Sequence, residues 1–399
     1  MNAYSYRLWA AGLVVGIVCL MSGCDKLWGG FAVPNQSGCG AEKCPPGNGP
    51  SDDLSVEAIL DLTVGSSDVD LAGVDLAGAD LAKLDLANPD MTPTYPTVIV
   101  VGKSGSIFRR NFTNNTWIPE VSAVPCAFRG VHGQSPSNIY VVGTGGKIYT
   151  RQGTTWSPVV LPAPLATLDY NSAFVGNTGN VYAGTESGPI AVRTTGGWAA
   201  ASITRNVDGW SCPGGAVNGL FGSKTVTTVW ATSGVADCAG TAGPKLISML
   251  LQTTSDPTAF TAIAVMPNAG VTYEGLWGVD GPNLVAVGGT VADVLTGSSW
   301  TTALSGSLAL HGVWGSSFTD AWIVGNNGMT LHGRGTLSVG SSWVSTTQGT
   351  EELRGVYGTG PNDVWAVGAN GAVRHFDGNT WTPMNLGNGE TLNAVWAGY

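Results

Sequence analysis

From residue 97 to the carboxyl terminus, apolar residues occur in short runs that are separated by turns rich in Gly, Asn, Asp and Pro. Four such runs of strand length follow one another in each repeated unit, and some alternate between apolar and polar positions. This pattern predicts a four-stranded antiparallel meander in each unit. The clearest units span residues 353–381, 128–156 and 310–343, and weaker copies span 170–198, 217–260 and 273–300.

One small residue in the first strand of every unit marks the repeat period. Four-stranded units that recur about every 40 to 50 residues are typical of β-propeller blades. The region therefore predicts one all-β propeller. The markers lie 37 to 56 residues apart and are Gly130, Ala173, Gly219, Gly275, Gly312, Gly355 and Ala394.

The two ends of the repeat region complement each other. Residues 97–102 begin the region without a first strand, whereas residues 392–398 form a first strand alone. Joined in one sheet, they complete a blade and leave no open sheet edge between them. We therefore predict a single propeller of seven four-stranded blades over residues 97–399, closed by the carboxyl-terminal strand.

The turn Asp377-Gly378-Asn379-Thr380-Trp381 resembles an Asp-box, and most other blades lack its aspartate. The repeat unit resembles the BNR and Asp-box propellers of sialidases, of the photosystem II assembly factor family and of secreted bacterial lipoproteins. Among the lipoproteins, it is most similar to the tether-plus-propeller proteins of myxobacteria. In those families the Asp-box turn is structural, so the resemblance implies a structural role here.

The first residues have the pattern of an export signal. Arg7 precedes an apolar run at residues 8–20, which is too short to span a membrane comfortably. Residues 21–24, Met-Ser-Gly-Cys, resemble the bacterial lipobox, in which the cysteine is acylated and becomes the mature amino terminus. The resemblance implies a cleaved lipoprotein signal peptide over residues 1–23 and a lipid anchor on Cys24.

Residues 24–96 have the composition of a disordered tether. A Gly- and Pro-rich stretch is followed by Asp-Leu-Ala units with a period of five from Asp70, similar to pentapeptide repeats. Five units are too few to build a stacked coil, so we favour an extended acidic segment. Residues 51–90 carry −9 of the net charge of −10. The nearly neutral remainder argues against nucleic-acid binding.

Two long insertions interrupt the unit at residues 217–260, one before its first strand and one at residues 231–244. Both are expected on the same face of the propeller, and we predict a Cys212–Cys238 disulfide between them. Cys39 and Cys44 are candidates for a second, local disulfide, and Cys126 is the odd thiol. Functional residues usually lie in long loops on a rigid scaffold. Our candidate contact residues are therefore Asn206, Asp208, Trp210, Asp237 and Lys245.

The histidines recur at repeat positions. His132 occupies the position that Trp314 and Tyr357 fill in other units, His311 precedes a marker glycine, and His332 and His375 each follow a turn glycine by four residues. Such recurrence favours packing over a metal site or a catalytic triad. We expect no metal and no cofactor.

A sialidase-type enzyme, as the resemblance describes it, requires three arginines at the channel. Only Arg129 and Arg354 begin first strands. We therefore predict a non-enzymatic, monomeric binding module, anchored in the bacterial outer membrane by its lipid. One propeller face is expected to dock a protein or a glycan. A glycan-active enzyme of sialidase type and a periplasmic envelope-assembly scaffold remain alternatives.

Overall fold

The computed structural model describes residues 95–399, except 208, 213, 223–226, 239–244 and 280–282. The predicted signal peptide and residues 24–94 of the predicted tether, which include Cys24, Cys39 and Cys44, lie outside the described residues. Within the described part of the chain, no helix is both long and apolar enough to cross a membrane.

The described residues form strands joined by turns, with short 3₁₀ helices at Leu165–Thr167, Asn326–Gly328, Gly340–Ser342 and Ala369–Gly371. In chain order the strands are β1 (Thr97–Gly102), β2 (Ile107–Asn111), β3 (Thr116–Val121), β4 (Phe128–Ser135), β5 (Asn138–Gly143), β6 (Ile148–Gln152), β7 (Thr155–Pro158), β8 (Tyr170–Val175), β9 (Val181–Thr185), β10 (Ala191–Thr194), β11 (Gly197–Ala200), β12 (Ser202–Thr204), β13 (Asn206–Val207), β14 (Trp210–Ser211), β15 (Ala216–Gly222), β16 (Val229–Cys238), β17 (Lys245–Thr253), β18 (Ala259–Val265), β19 (Gly275–Gly278), β20 (Asn283–Gly288), β21 (Val291–Thr296), β22 (Ser299–Ser305), β23 (Leu310–Ser317), β24 (Asp320–Gly325), β25 (Met329–Arg334), β26 (Trp343–Thr347), β27 (Leu353–Gly360), β28 (Asp363–Gly368), β29 (Ala372–Phe376), β30 (Trp381–Asn385) and β31 (Leu392–Gly398).

These strands build seven antiparallel blades in a ring, as the repeat pattern predicted. We number the blades from β4: blade 1 is β4–β7, blade 2 is β8–β11 and blade 3 contains β15–β18. Blades 4, 5 and 6 are β19–β22, β23–β26 and β27–β30, and blade 7 combines β1–β3 with β31.

Ring closure follows the prediction from the two chain ends. Strand β31 pairs antiparallel with β1, with Val395 opposite Val100 and Trp396 opposite Ile99. The carboxyl-terminal strand thereby becomes the innermost strand of blade 7, and no innermost strand is left without a partner in its own sheet.

Blade 3 departs from the four-strand prediction. Strand β12 adds a fifth, outer strand that runs parallel to β18, with Ile203 opposite Phe260. A small β13–β14 hairpin follows, and β16 and β17 continue their pairing as far as Cys238 and Lys245. The sequence insertions are therefore largely extra β structure, which their irregular composition did not reveal.

The core lies along the second strands and between the blades. Val141, Val285, Ile323 and Ala366 are fully buried, because both faces of these strands contact neighbouring blades. Trp343 and Trp381, which close their repeat units, are buried in the same core, whereas Trp156 is half-buried. Inter-blade packing is therefore the role of the two buried tryptophans.

The marker positions are small because neighbouring first strands approach closely around the axis. A Cβ atom on Gly312 would lie 2.8 Å from the carbonyl oxygen of Arg354, and one on Gly355 would lie 3.0 Å from the Cα atom of Ala394. In blade 2 the register places Ser172 at the marker position, so the assignment of Ala173 was wrong by one residue.

Candidate binding site at the channel mouth

The first strands of all seven blades line a central cavity of about 1080 Å³. At one mouth these strands begin, and the turns between second and third strands lie beside them: the amide of Thr144 donates to the carbonyl oxygen of Ala127. We call this side the ring face. The cavity reaches the opposite mouth at residues such as Gln134, Thr359 and Tyr399.

A polar side chain from every blade lines the cavity at the ring face. In six first strands a β-bulge falls at this residue, and the seventh strand begins directly after it. A bulge redirects one side chain relative to the normal alternation, here into the channel. These residues, which we call the polar ring, are Arg129, Asn171, Asn218, Glu274, His311, Arg354 and Asn393.

One arc of the polar ring begins at Arg129. Its Nη1 atom donates to Asn171 Oδ1 at 2.7 Å and also contacts Glu186 Oε2 at 2.7 Å. Asn171 Nδ2 then donates to Asn218 Oδ1 at 2.8 Å. These contacts hold three neighbouring blades in one hydrogen-bonded chain.

The other arc is centred on glutamate. His311 Nδ1 lies 2.8 Å from Glu274 Oε2, and its Nε2 atom lies 3.4 Å from Glu352 Oε1. Arg354 Nε pairs with the same Glu352 oxygen at 3.1 Å, and Arg354 Nη1 donates to Asn393 Oδ1 at 3.1 Å. Positive and negative groups therefore alternate along this arc.

The surroundings of His311 stabilise its protonated form. The hydrogen bond with Glu274 raises the pKa of His311, burial opposes that effect, and contacts with Asn326 and Glu352 add to it. Both ring nitrogens face oxygen atoms, since Nε2 lies 2.9 Å from Asn326 Oδ1. An imidazolium can donate at both positions at once.

Below the polar ring, one aromatic side chain per blade lines the cavity. Trp314 and Tyr357 have ring centroids 6.0 Å apart, and Tyr357 and Trp396 have centroids 6.5 Å apart. His132 is in register with these residues, as the repeat alignment predicted. This aromatic belt consists of His132, Phe174, Phe221, Trp277, Trp314, Tyr357 and Trp396.

Similar solved structures are β-propellers. One is YCF48 bound to D1 peptide, with 13% sequence identity and a TM-score of 0.51 over 74% of this chain and 90% of that chain. Another is a catalytically inactive virginiamycin B lyase from Staphylococcus aureus with quinupristin, with 11% identity and a TM-score of 0.54 over 67% of this chain and 87% of that chain. At these identities the likeness establishes the fold alone. No family model and no curated protein matches the sequence.

Two histidine–aspartate pairs lie toward the opposite face. His332 Nε2 is 2.6 Å from Asp320 Oδ1, and the histidine ring stacks on Trp322 with centroids 3.7 Å apart. Ser316 Oγ donates to the other oxygen of Asp320 at 2.5 Å. The hydroxyl thus contacts the carboxylate rather than the imidazole, so the histidine is not placed to activate it.

The next blade repeats this arrangement. His375 Nε2 is 2.7 Å from Asp363 Oδ1, and Thr359 donates to Asp363 Oδ2. Burial opposes ionisation of Asp363, but hydrogen bonds from His375, Thr359 and Trp365 outweigh it and hold the pKa of this carboxyl below its ordinary value. The recurrence indicates a structural unit that fastens the first and second strands to the third, in agreement with the packing prediction for these histidines.

The predicted contact residues lie in the insertions of blade 3. Asn206 is exposed in β13, and Trp210 in β14 is half-buried against the hydrophobic cluster that contains Cys212. Asp208 lies outside the described residues, as do the side chains of Asp237 and Lys245. These candidates remain predictions, and the packing of Trp210 means that its removal will also lower stability.

A buried arginine connects the two insertions. Arg205, between β12 and β13, donates from Nε to Ser233 Oγ of β16 at 3.3 Å. The carbonyl oxygen of Arg205 accepts from the amide of Cys212 at 3.3 Å. Since Ser233 pairs with Val217 at the start of β15, this contact lies at the ring face, where both insertions were expected.

The cysteines are described in part. Cys126 is a free, half-buried thiol, as predicted, and burial raises its pKa to about 11. Cys212 is buried, and the side chain of Cys238 lies outside the described residues. The Cys212–Cys238 bond therefore stays a prediction, as does the Cys39–Cys44 bond.

Sequence reasoning found only part of the polar ring. Arg129, Arg354 and His311 stood out because they are charged or rare residue types next to a marker. Asn171, Asn218, Glu274 and Asn393 were missed, because a single polar residue among apolar neighbours looks like ordinary strand alternation. Comparing the residue before the marker across all units would have revealed Asn218, Glu274 and Asn393, whereas Asn171 also required the register of blade 2. Within the described residues, no three metal-ligating side chains come together.

Proposed function

We propose that this protein is a non-enzymatic binding module that docks a segment of a partner protein on the ring face of its propeller. The polar ring carries this proposal. It brings donors and acceptors from all seven blades to the mouth of one cavity, on the face that also carries the insertions of blade 3. Convergent polar groups over a concave, largely apolar lining are typical of binding sites.

The pairing within the polar ring supports binding rather than hydrolysis. Arg129 and Arg354 are each neutralised by a glutamate, Glu186 and Glu352 respectively. The ring contains two arginines, whereas the sialidase-type alternative requires three. YCF48, a propeller of similar fold, is bound to D1 peptide in its structure, which supports a protein ligand by analogy.

Selection of peptides tests the proposal. We would pan a random 12-residue peptide library against the immobilised full chain and measure selected peptides by fluorescence polarisation. The double variant Arg129→Ala/Asn171→Ala should bind them at least tenfold more weakly. Val344→Ala, at a side chain 61% exposed on an outer strand, should bind like wild type.

Failure to enrich any peptide, or unchanged binding by a folded double variant, would overturn the proposal. Circular dichroism and unfolding curves establish that the double variant is folded. Enrichment of oligosaccharides instead, on an array probed with the same three proteins, would favour the glycan ligand.

The cellular setting forms the second part of the proposal. A lipid on Cys24 and an acidic tether over residues 24–96 would hold a monomeric propeller at a distance from the bacterial outer membrane. Protease shaving of intact cells tests this arrangement. Release of fragments that begin within residues 25–95 would place the propeller at the cell surface. Release only after the outer membrane is opened would favour the periplasmic scaffold.

A further inference from the structure

The geometry points to a break in the polar ring, between Asn218 and Glu274, as a subsite for one main-chain amide of a bound peptide. Within each arc, neighbouring members are joined by hydrogen bonds or shared ion pairs. At the other junction between the arcs, Asn393 Nδ2 donates to the main-chain carbonyl oxygen of Phe128 in blade 1 at 2.6 Å. Among the described residues, no hydrogen bond joins Asn218 to Glu274. This inference rests on the proposed function and assigns its ligand chemistry.

The direction of hydrogen bonding in the first arc is fixed by Arg129. A guanidinium only donates, so the Asn171 atom that faces Arg129 must be the carbonyl oxygen. The Asn171 amide nitrogen then faces Asn218 and donates to its carbonyl oxygen. The amide nitrogen of Asn218 is therefore the free end of the arc, and it offers N–H donors to the break.

The opposite side of the break is an acceptor. Glu274 contacts His311 through Oε2 alone, so Oε1 has no partner among the described residues. Its side chain is 48% exposed and remains accessible at the ring face. The break thus has a donor on blade 3 and an acceptor on blade 4.

A peptide group presents the matching pair, a carbonyl acceptor and an N–H donor. A carboxylate ligand fits poorly, because Glu274 would repel it and both ring arginines already contact glutamates.

Backbone ester substitution tests the subsite directly. In a peptide selected by panning, each amide is replaced in turn by an ester, which removes one N–H. One ester position should weaken binding to wild type about tenfold. The same ester should change binding to Glu274→Ala less than twofold, because the acceptor is already missing. Asn218→Leu should weaken the unmodified peptide about tenfold.

Asn379→Leu is the matched control, since it makes the same change at an exposed asparagine outside the cavity. This variant should bind the unmodified peptide with wild-type affinity, and the ester substitution should weaken its binding as much as it weakens binding to wild type. Unchanged peptide binding by Asn218→Leu, or an undiminished ester effect in Glu274→Ala, would overturn the subsite while leaving peptide binding on the ring face intact. Absence of any selected peptide would overturn both proposals.

Discussion

Trp396 donates its indole N–H to the carbonyl oxygen of Gly133 at 3.0 Å, across the boundary between the last blade and the first. The indole is 2% exposed and lies in the closing strand β31. One side chain therefore fills the inter-blade core and satisfies a main-chain acceptor of the neighbouring blade. Closure of the ring depends on this contact as well as on strand pairing.

Trp396→Ala should lower the free energy of unfolding by about 3 to 5 kcal/mol, because it opens a cavity in a fully packed site. Trp396→Phe keeps most of the packing and loses the hydrogen bond, which is worth about 1 to 3 kcal/mol when a buried acceptor is left unpaired. Urea unfolding of the full chain measures both. Val344→Ala is the exposed control, and an effect of Trp396→Ala no larger than this control would contradict the prediction.

The fold was predictable because its physical signals repeat. The small markers at Gly312 and Gly355 record the close approach of neighbouring first strands, and that constraint recurs in each blade. Strand β12 was not predictable, because residues 202–204 pair with β18 only once the tertiary structure brings them together. The marker position predicted in blade 2 was wrong for a similar reason. Ser172 and Ala173 are both small, and only the strand pairing distinguishes them.

Asp363 makes stability depend on pH in the acid range. Its pKa lies below the ordinary value of 3.8 in the folded protein. The contribution of Asp363 to the free energy of unfolding is therefore present above that value. It is lost as the pH falls through the pKa of this carboxyl in the folded protein. Asp363→Asn should unfold at lower denaturant than wild type at pH 7, and the difference should shrink as the pH is lowered toward about 2.

Asp363→Ala should cost about 1 to 3 kcal/mol at pH 7, because His375 and Trp365 lose their acceptor. Glu186→Gln, at a carboxylate 54% exposed, serves as the control and should show little effect at either pH. If Asp363→Asn and wild type lose stability in parallel on acidification, the assignment of this pair as a structural unit is wrong.

The candidate site was less predictable than the fold. In six of the seven blades the polar ring depends on a β-bulge that turns one residue into the channel, and a bulge leaves no signal in the alternation of a short strand. Arg354 was identifiable from its charge, whereas Asn393 acquires its meaning only from its bond to Arg354. The predicted ring closure made their two blades neighbours, but only the structure shows that these two side chains meet.

Alkylation distinguishes the free thiol of Cys126 from the predicted Cys212–Cys238 disulfide. Alkylation of the native chain at pH 8 should modify Cys126 slowly, because burial holds its pKa near 11 and little thiolate is present. After unfolding without reductant, peptide mapping should find Cys126 fully modified and Cys212 and Cys238 unmodified in one linked peptide. Modified Cys212 under these conditions would contradict the predicted disulfide.

His311 should titrate at higher pH than His332, although both histidines contact a carboxylate. The hydrogen bond to Glu274 raises the pKa of His311, whereas burial dominates at His332 and lowers its pKa. Because folding raises its pKa, His311 contributes fully to the free energy of unfolding below the ordinary pKa of 6.5. This contribution is lost as the pH rises through the pKa of the folded protein. NMR titration of the imidazole resonances measures both midpoints. Glu274→Gln should lower the midpoint of His311 and leave that of His332 unchanged, and equal shifts at both would show that the variant acts through the whole fold rather than through the polar ring.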